Sequence, residues 1–397
     1  VSFLTREYLP ESTQDVKNFL GICSHGGVAG RLRGEKDGFV MSFNDVSSGR
    51  VTEQDRIFKR GVECMKEALF WRSVEDGVVE CGLCHHRCVI EEGQRGVCRV
   101  RENRGGRLMS LGYGRAVGCA VDPIEKKPLY HFLPGSRAFS FGVRGCNMRC
   151  MYCQNSHIAH VAEGDRLPDD PETSPEQIVR EAQMAGCRSI AYTYTEPTVF
   201  YEYAYDVARL AAQQSIKNVF VTNGYITPEA FEKIAPMLDA ANVDLKFYDD
   251  ALYRRICGAG LRPVLDMIRL YHEAGWVEVT TLLVPGYNDD HEQLEGIAGF
   301  IASVDRDIPW HISAFYPTYK LTEAPPTPLS ALLKARDIGR QAGLNYIYLG
   351  NVRGRLDTVC PDCGEVLISR SGYRLEANRV QAGKCLGCGK TVAGVWA

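Results

Sequence analysis

Between about residues 138 and 350 the chain alternates two textures. Short apolar runs at 139–143, 189–194, 218–222, 243–247, 277–284, 311–315 and 346–349 are separated by longer segments whose apolar positions recur at helical spacing. The helix signals are local. Ser174, Pro175 and Gln177 combine an N-cap, a first-turn proline and a capping-box glutamine, and Gly186 closes that helix. Thr227 and Pro228 open another in the same way, and Leu261, Val264, Leu265, Ile268 and Tyr271 form the apolar face of a third that ends before Gly275. Strands alternating with helices predict parallel βαβ units, in a barrel or in an open doubly wound sheet. Both place a site at the carboxyl ends of the strands.

The flanks read differently. Residues 1–52 are rich in Gly, Ser and charge with no sustained period, and predict an extended or loosely ordered arm. From Asp55 to Trp71, Ile57, Phe58, Val62, Met65 and Leu69 recur at helical spacing and predict an amphipathic helix. The units expected are this arm, a cysteine-rich module over 53–135, the α/β unit over 136–356 and a small C-terminal module over 357–397. Composition adds little to this picture: 45% of the 397 residues are hydrophobic and 24% charged, which is ordinary for a globular chain. A net charge of -3 argues against a broad nucleic-acid surface. There is no run of about 18 apolar residues to span a membrane, and the first 30 residues lack the apolar core of a secretory signal. A cytoplasmic location is expected.

Sixteen cysteines change the picture. Disulfide frameworks belong to small secreted domains, and this chain is not small. Eleven cysteines instead fall into three sets with ligand spacing: Cys81, Cys84, Cys88 and Cys98; Cys146, Cys150 and Cys153; and Cys360, Cys363, Cys385 and Cys388. The last set is two Cys-x-x-Cys-Gly knuckles with 21 residues between them, the pattern of a four-thiolate zinc ribbon, with a rubredoxin-like iron as competitor. The first set suits zinc or a second four-iron cluster, because all-thiolate ligation excludes neither. Cys23, Cys64, Cys119, Cys187 and Cys257 are scattered and are expected to be buried, inert thiols. The middle set follows the first strand on a loop marked by Gly142 and Gly145. Four thiolates would close a cubane cluster, so three leave one iron open to a small molecule.

Cys146-x-x-x-Cys150-x-x-Cys153 after the first strand of a βα repeat resembles the signature of the radical S-adenosylmethionine (AdoMet, SAM) superfamily. The resemblance implies a partial (β/α)6 TIM-like barrel, a 4Fe-4S cluster on those three cysteines and reductive cleavage of AdoMet to a 5'-deoxyadenosyl radical that abstracts hydrogen. It also implies site residues. Glu196, before Pro197, matches the acceptor of the AdoMet ammonium, although Tyr194 and Thr195 replace the two glycines usual before it. Asn223 ends the third strand within reach of a ribose. Asp244 and Lys246 share a side of the fourth strand by the two-residue period, and resemble the pair that serves AdoMet in glycyl-radical-enzyme activases. Asn155 matches another contact of that subgroup. Val284 and Gly286 resemble the segment beside the adenine, Tyr152 matches an adenine-facing aromatic, and His311 falls on the strand where activases place an AdoMet-contacting histidine.

Cys81-Gly-Leu-Cys84-His-His-Arg-Cys88, Gly96-Val-Cys98 and the run from Asp122 to His131 resemble, together with the ribbon and Trp396, the radical SAM enzyme of the AmmeMemoRadiSam system. That family's association implies Memo-like and AMMECR1-like proteins as partners, and the chemistry implies an electron donor such as flavodoxin or ferredoxin. Two alternatives stand beside this expectation. One is a glycyl-radical-enzyme activase; the other is a non-catalytic iron-sulfur electron-transfer or scaffold protein, against which Glu196, Asp244 and Lys246 argue.

Overall fold

Seven parallel strands assemble in the order in which the chain supplies them. Arg137–Gly142, Ser189–Tyr192, Lys217–Thr222, Ala240–Asp244, Trp276–Leu283, Trp310–Ala314 and Ile347–Gly350 pair consecutively, and Val117–Pro123 adds an antiparallel edge beside the first. The computed structural model describes residues 65–162, 164–165 and 167–397. The expected arm, residues 55–64 of the expected helix, Cys23 and Cys64 lie outside the described residues. A sheet wound consecutively has no reversal point of the doubly wound kind, and right-handed crossovers then lie on one face. The resemblance implies six repeats; the sheet holds seven parallel strands and the antiparallel edge, which draws residues 117–135 out of the N-terminal module.

Period-two alternation decides what each face meets. Phe139, Phe141, Ile190, Tyr192, Phe220, Val243, Val277, Val279 and Ile312 belong to the large apolar core beneath the helices. Ala138, Ala191, Val219 and Ala240 point the other way, and their small side chains admit Ile124, Leu129, Phe132 and Leu133 against that face. The segment from Asp122 to His131 is therefore packing material for the sheet.

The local helix signals hold. Ser174 Oγ accepts the Gln177 N–H at 3.2 Å and the helix runs Pro175–Met184. The glutamine side chain does not close the box; it donates to Glu181 at 3.0 Å. Pro228–Ile234 and Leu261–Ala274 form as expected. Thr227, however, caps nothing with its side chain. Its hydroxyl donates to the carbonyls of Gly82 and Leu83, at 2.8 and 3.2 Å, and so fastens the N-terminal module to the end of the third parallel strand.

That module corrects the expected helix. Lys66–Glu67 is a strand against Met109 and Ser110, and Trp71–Glu75 pairs with Val78–Cys81. Phe70 between them sits at φ +56°. The Leu69 N–H, which a helix would have bonded locally, donates to Glu202 at 2.7 Å. Distant partners for the backbone override the local period.

The C-terminal module holds a three-stranded sheet, Thr358–Val359, Val366–Ser371 and Arg374–Asn378, and a small hairpin, Val380–Gln381 with Lys384–Cys385. It is anchored by a directed chain of hydrogen bonds. Arg370 donates to Thr358 Oγ1 at 2.9 Å, the Thr358 and Tyr348 hydroxyls meet at 2.7 Å, Tyr348 meets His131 Nε2 at 2.6 Å, and His131 Nδ1 donates to the Ala393 carbonyl at 2.7 Å. Only a neutral imidazole can accept at Nε2 while donating at Nδ1. Burial pushes His131 down to about 4. The unfolded state binds this proton near 6.5 and the folded state only near 4, so stability is fully present above the higher value and is lost as pH falls towards the lower one. The expected loss is up to about 3 kcal/mol. Thermal melts at steps between pH 7 and 4 should show it, and His131→Gln should flatten that part of the profile. Among the described residues no helix is long and apolar enough to cross a membrane.

Candidate functional site

The loop after Arg137–Gly142 carries Cys146, Cys150 and Cys153 and lies at the carboxyl end of the sheet. Its shape comes from neighbours rather than from its own turns. Gly145, at φ +98°, lies where a Cβ would meet Val100 at 2.7 Å and the Cys98 carbonyl at 2.9 Å, so glycine is required twice over. The Arg149 and Met151 N–H groups donate to the carbonyls of Cys257 and Ile256, at 2.7 and 3.0 Å. His86 Nε2 meets the Asn147 carbonyl at 2.6 Å, and Arg149 bonds to the Val97 carbonyl.

Donors surround Cys146. The Met148 N–H lies 3.4 Å from its sulfur and Asn223 Nδ2 lies 3.8 Å from it. Asn223 Nδ2 also donates to Asn147 Oδ1 at 2.7 Å. Asn147 Nδ2 is buried with no partner, an orphaned donor beside the first cysteine. Burial, then Glu196, pushes the Cys146 thiol well up, and burial raises Cys153 to about 11. Cys150 goes the other way, held down chiefly by a hydrogen bond from Cys257 and helped by Lys246. A set of donors, a cation and a buried N–H without a partner fit a thiolate-bound iron-sulfur cluster.

The structure brings most of the expected residues to this end of the sheet. Glu196 is buried; its Oε1 accepts from the Thr198 N–H, the Thr198 hydroxyl and the Thr222 hydroxyl at 3.0, 2.6 and 2.8 Å, and its Oε2 from the Asn223 N–H at 2.8 Å. It thus caps the turn Pro197–Phe200 and fixes Asn223 against Cys146. Lys246 Nζ pairs with Asp244 at 2.8 Å, and burial of this cation is outweighed by Asp244 and Cys150, which hold its pKa well above the usual value. Asn155 donates to the Tyr194 carbonyl at 2.7 Å. Tyr194 itself stands at φ +67°, the left-handed region that a glycine would occupy freely. Its hydroxyl donates to Asp122 at 2.9 Å and Lys127 Nζ lies 4.6 Å over its ring, contacts that offset the strain of a non-glycine residue there. Tyr152 is buried, its ring near Phe247 and Phe315 and its hydroxyl 3.6 Å from Cys257 Sγ. Val284 is buried and Gly286 is exposed at φ +79° on the turn that follows.

His311 does not join them. Its Nε2 meets Glu278 at 2.6 Å, and its ring lies against Tyr130 and Tyr348. Glu278 also accepts from the Tyr130 and His131 N–H groups, at 3.0 and 2.8 Å, and from Trp276 Nε1 at 3.0 Å. His311 therefore belongs to the buried junction with the C-terminal module.

Three residues escape the sequence reading. Asn147 links the loop to the third strand. Asn288 is buried, donates to the carbonyls of Lys246 and Leu282 at 2.8 and 2.9 Å, and accepts the Val284 N–H at 2.6 Å, so it holds the turn at Val284 to the strand end carrying Lys246. Cys257, expected to be inert, sits between Tyr152 and Cys150 at the end of a π-helical turn, Tyr253–Cys257. Such turns recur at functional sites. Cys187 is buried as expected and Cys119 is half-buried.

The two remaining cysteine sets differ in geometry. In the C-terminal module Cys360 Sγ lies 3.7 Å from Cys388 Sγ and Cys363 Sγ lies 3.7 Å from Cys385 Sγ, and all four sulfurs fall within 4.8 Å of one another. Sulfurs about 2.3 Å from one tetrahedral ion stand about 3.8 Å apart. The knuckles are equivalent: the Gly364 N–H bonds to the Cys360 carbonyl and the Gly389 N–H to the Cys385 carbonyl, with both glycines at positive φ. Cys81, Cys84, Cys88 and Cys98 instead ring a small cavity.

The profile of the Radical SAM superfamily matches residues 141–301. An uncharacterized protein of Methanocaldococcus jannaschii is 42% identical over 334 residues, which cover 83% of this chain and 99% of that protein. The pyruvate formate-lyase-activating enzyme of Clostridium pasteurianum is 27% identical over 174 residues, 43% of this chain and 71% of that enzyme. Among solved structures, a radical SAM methyltransferase from Sphaerobacter thermophilus aligns over 56% of this chain and 68% of its own, at 16% identity and a TM-score of 0.45.

Proposed function

Because this chain is an enzyme belonging to the radical SAM superfamily, we propose that Cys146, Cys150 and Cys153 hold a 4Fe-4S cluster with one open iron, and that the protein removes a hydrogen atom from a substrate or partner. When bound, that cluster supplies the electron that splits AdoMet, which the superfamily implies, into methionine and a 5'-deoxyadenosyl radical. The observation that carries this reading is the convergence on one loop of three cysteines, the orphaned Asn147 amide and the Lys246–Asp244 pair. A consecutively wound sheet also suits a partial barrel with that loop at its mouth.

The chain's own residues divide the work of binding. Lys246 offers the carboxylate of AdoMet a buried cation, and Asp244 keeps it charged. Glu196 presents Oε2, which carries one donor, to the ammonium, while its Oε1 positions the turn after it. Asn223 faces both Cys146 and the ribose. Phe247 and Phe315 around Tyr152, with Val284 and Gly286, form an apolar shelf for adenine, and Asn288 fixes that shelf to Lys246. Asn155 holds the Tyr194 carbonyl and so the floor of the site. Zinc in the C-terminal module, a low-potential donor such as flavodoxin or ferredoxin, Memo-like and AMMECR1-like partners and a cytoplasmic setting complete the reading as an AmmeMemoRadiSam enzyme.

Anaerobic, reconstituted and reduced protein should convert AdoMet to 5'-deoxyadenosine, and no product from cluster-loaded protein would overturn the reading. Lys246→Met should weaken AdoMet binding about 10- to 100-fold, the loss of one charge-assisted contact, with iron content unchanged; equilibrium dialysis under nitrogen measures it. A second reading, a glycyl-radical-enzyme activase, is favoured by the match to the Clostridium pasteurianum enzyme. It requires a partner protein that acquires a glycyl radical, visible as a doublet by electron paramagnetic resonance.

A further inference from the structure

The cavity ringed by the first cysteine set has a composition that structural packing does not explain. Cys81, Cys84, Cys88 and Cys98 line it with Leu83, Ile90, Val97, Val199 and Arg101. An apolar void needs no cation, yet Arg101 is 2% exposed and its Nε and Nη1 are buried without a partner. Glu202 pairs with Nη2 alone. The guanidinium is thus left with two unpaired donors at the cavity, beside an equally unpaired Glu202 Oε2. The Val97 N–H points at Cys88 Sγ from 3.5 Å, a backbone donor to sulfur of the kind that iron-sulfur sites use.

The spacing of the sulfurs distinguishes which occupant the cavity fits. Among the described residues, the C-terminal cysteines alone close three or more ligand atoms to within 4.8 Å of one another. The cavity set stands wider than one tetrahedral ion would hold it. A cubane binds each thiolate through a separate iron and keeps the four apart. We propose that Cys81, Cys84, Cys88 and Cys98 hold a second 4Fe-4S cluster, with Arg101 as its buried counter-cation.

The cluster's position suggests what it does. A Cβ placed on Gly145 would lie 2.9 Å from the Cys98 carbonyl, which limits the separation of Cys98 and Cys146 to at most roughly 11 Å between Cα atoms, by summed bond lengths. Cys88 is half-buried and Val97 exposed, so the wall of the cavity also reaches solvent. Such a cluster takes one electron from a low-potential one-electron donor protein and gives one up, with no proton or atom transferred. It stores an electron between the surface and the three-cysteine loop.

The test separates this proposal from the reading of the radical site. A Cys146→Ala/Cys150→Ala/Cys153→Ala variant removes the loop's ligands and leaves the cavity intact. Reconstituted anaerobically, it should retain about four irons and four sulfides per chain beyond the ion of the C-terminal module, and dithionite should reduce them to a state visible by electron paramagnetic resonance. Adding Cys88→Ala and Cys98→Ala to that variant should remove both. About one extra zinc and no sulfide in the triple variant would overturn the cluster, whatever the wild-type protein does to AdoMet. Sulfide retained without a reducible signal would overturn the electron store. If the five-fold variant kept the sulfide, the cysteines named here would not be its ligands.

Discussion

Cys150→Ala should reduce 5'-deoxyadenosine formation to the level of protein-free solution and lower iron by about four per chain, while the C-terminal module keeps its ion. Cys150 is chosen because its surroundings favour the thiolate, the form that binds iron. A hydrogen bond from Cys257 and the charge on Lys246 hold its pKa down, whereas burial raises those of Cys146 and Cys153. Two thiolates cannot hold a cubane against water. The fold should survive, because the loop's backbone contacts run through Arg149, Met151 and Cys153 rather than through the lost sulfur. Iron and sulfide analysis beside zinc analysis and circular dichroism separates loss of the cluster from loss of the fold. Wild-type activity in this variant would place the chemistry elsewhere in the chain.

Glu278→Ala should be strongly destabilising. Burial opposes this carboxylate, yet His311 foremost, and the Tyr130 N–H among the smaller causes, hold its pKa below the usual range, so it is charged and fully engaged. Its removal leaves the Tyr130 and His131 N–H groups, Trp276 Nε1 and His311 facing a void. Breaking a buried charged network of this kind costs about 3–5 kcal/mol. Glutamine should not rescue it, because one amide oxygen cannot accept four donors and its NH2 would face two of them. The comparison is Glu232→Ala, on an exposed helix face, expected within about 0.5 kcal/mol of wild type. Thermal unfolding of metal-loaded protein reads the difference, and equal melting of the two variants would sink the assignment.

What the sequence reveals depends on how far apart the interacting groups lie. The Ser174 cap, the Cys-x-x-Cys-Gly knuckles and the order of strands and helices rest on neighbours within a few residues, and the structure holds all of them. The stretch before Trp71 has helical spacing, but its backbone bonds to residues 109, 110 and 202, which no local window contains. The two-residue period assigns Asp244 and Lys246 to one side correctly. For His311 the same period gives a face without a depth, and Glu278, 33 residues earlier, takes its nitrogen. Asn147 and Asn288 are missed because asparagine is common in turns and only the fold shows these two buried. Cys257 looked solitary because its partners lie about a hundred positions away.

Asn147 has a consequence for motion. Its carbonyl holds His86 and its side chain holds Asn223, while Thr227 is bonded to Gly82 and Leu83. The cysteine loop, the N-terminal module and the end of the third strand are thereby stitched at several points. Local opening of any one of them must break the stitches to the others, so the amides of all three should exchange with solvent as a single cooperative unit.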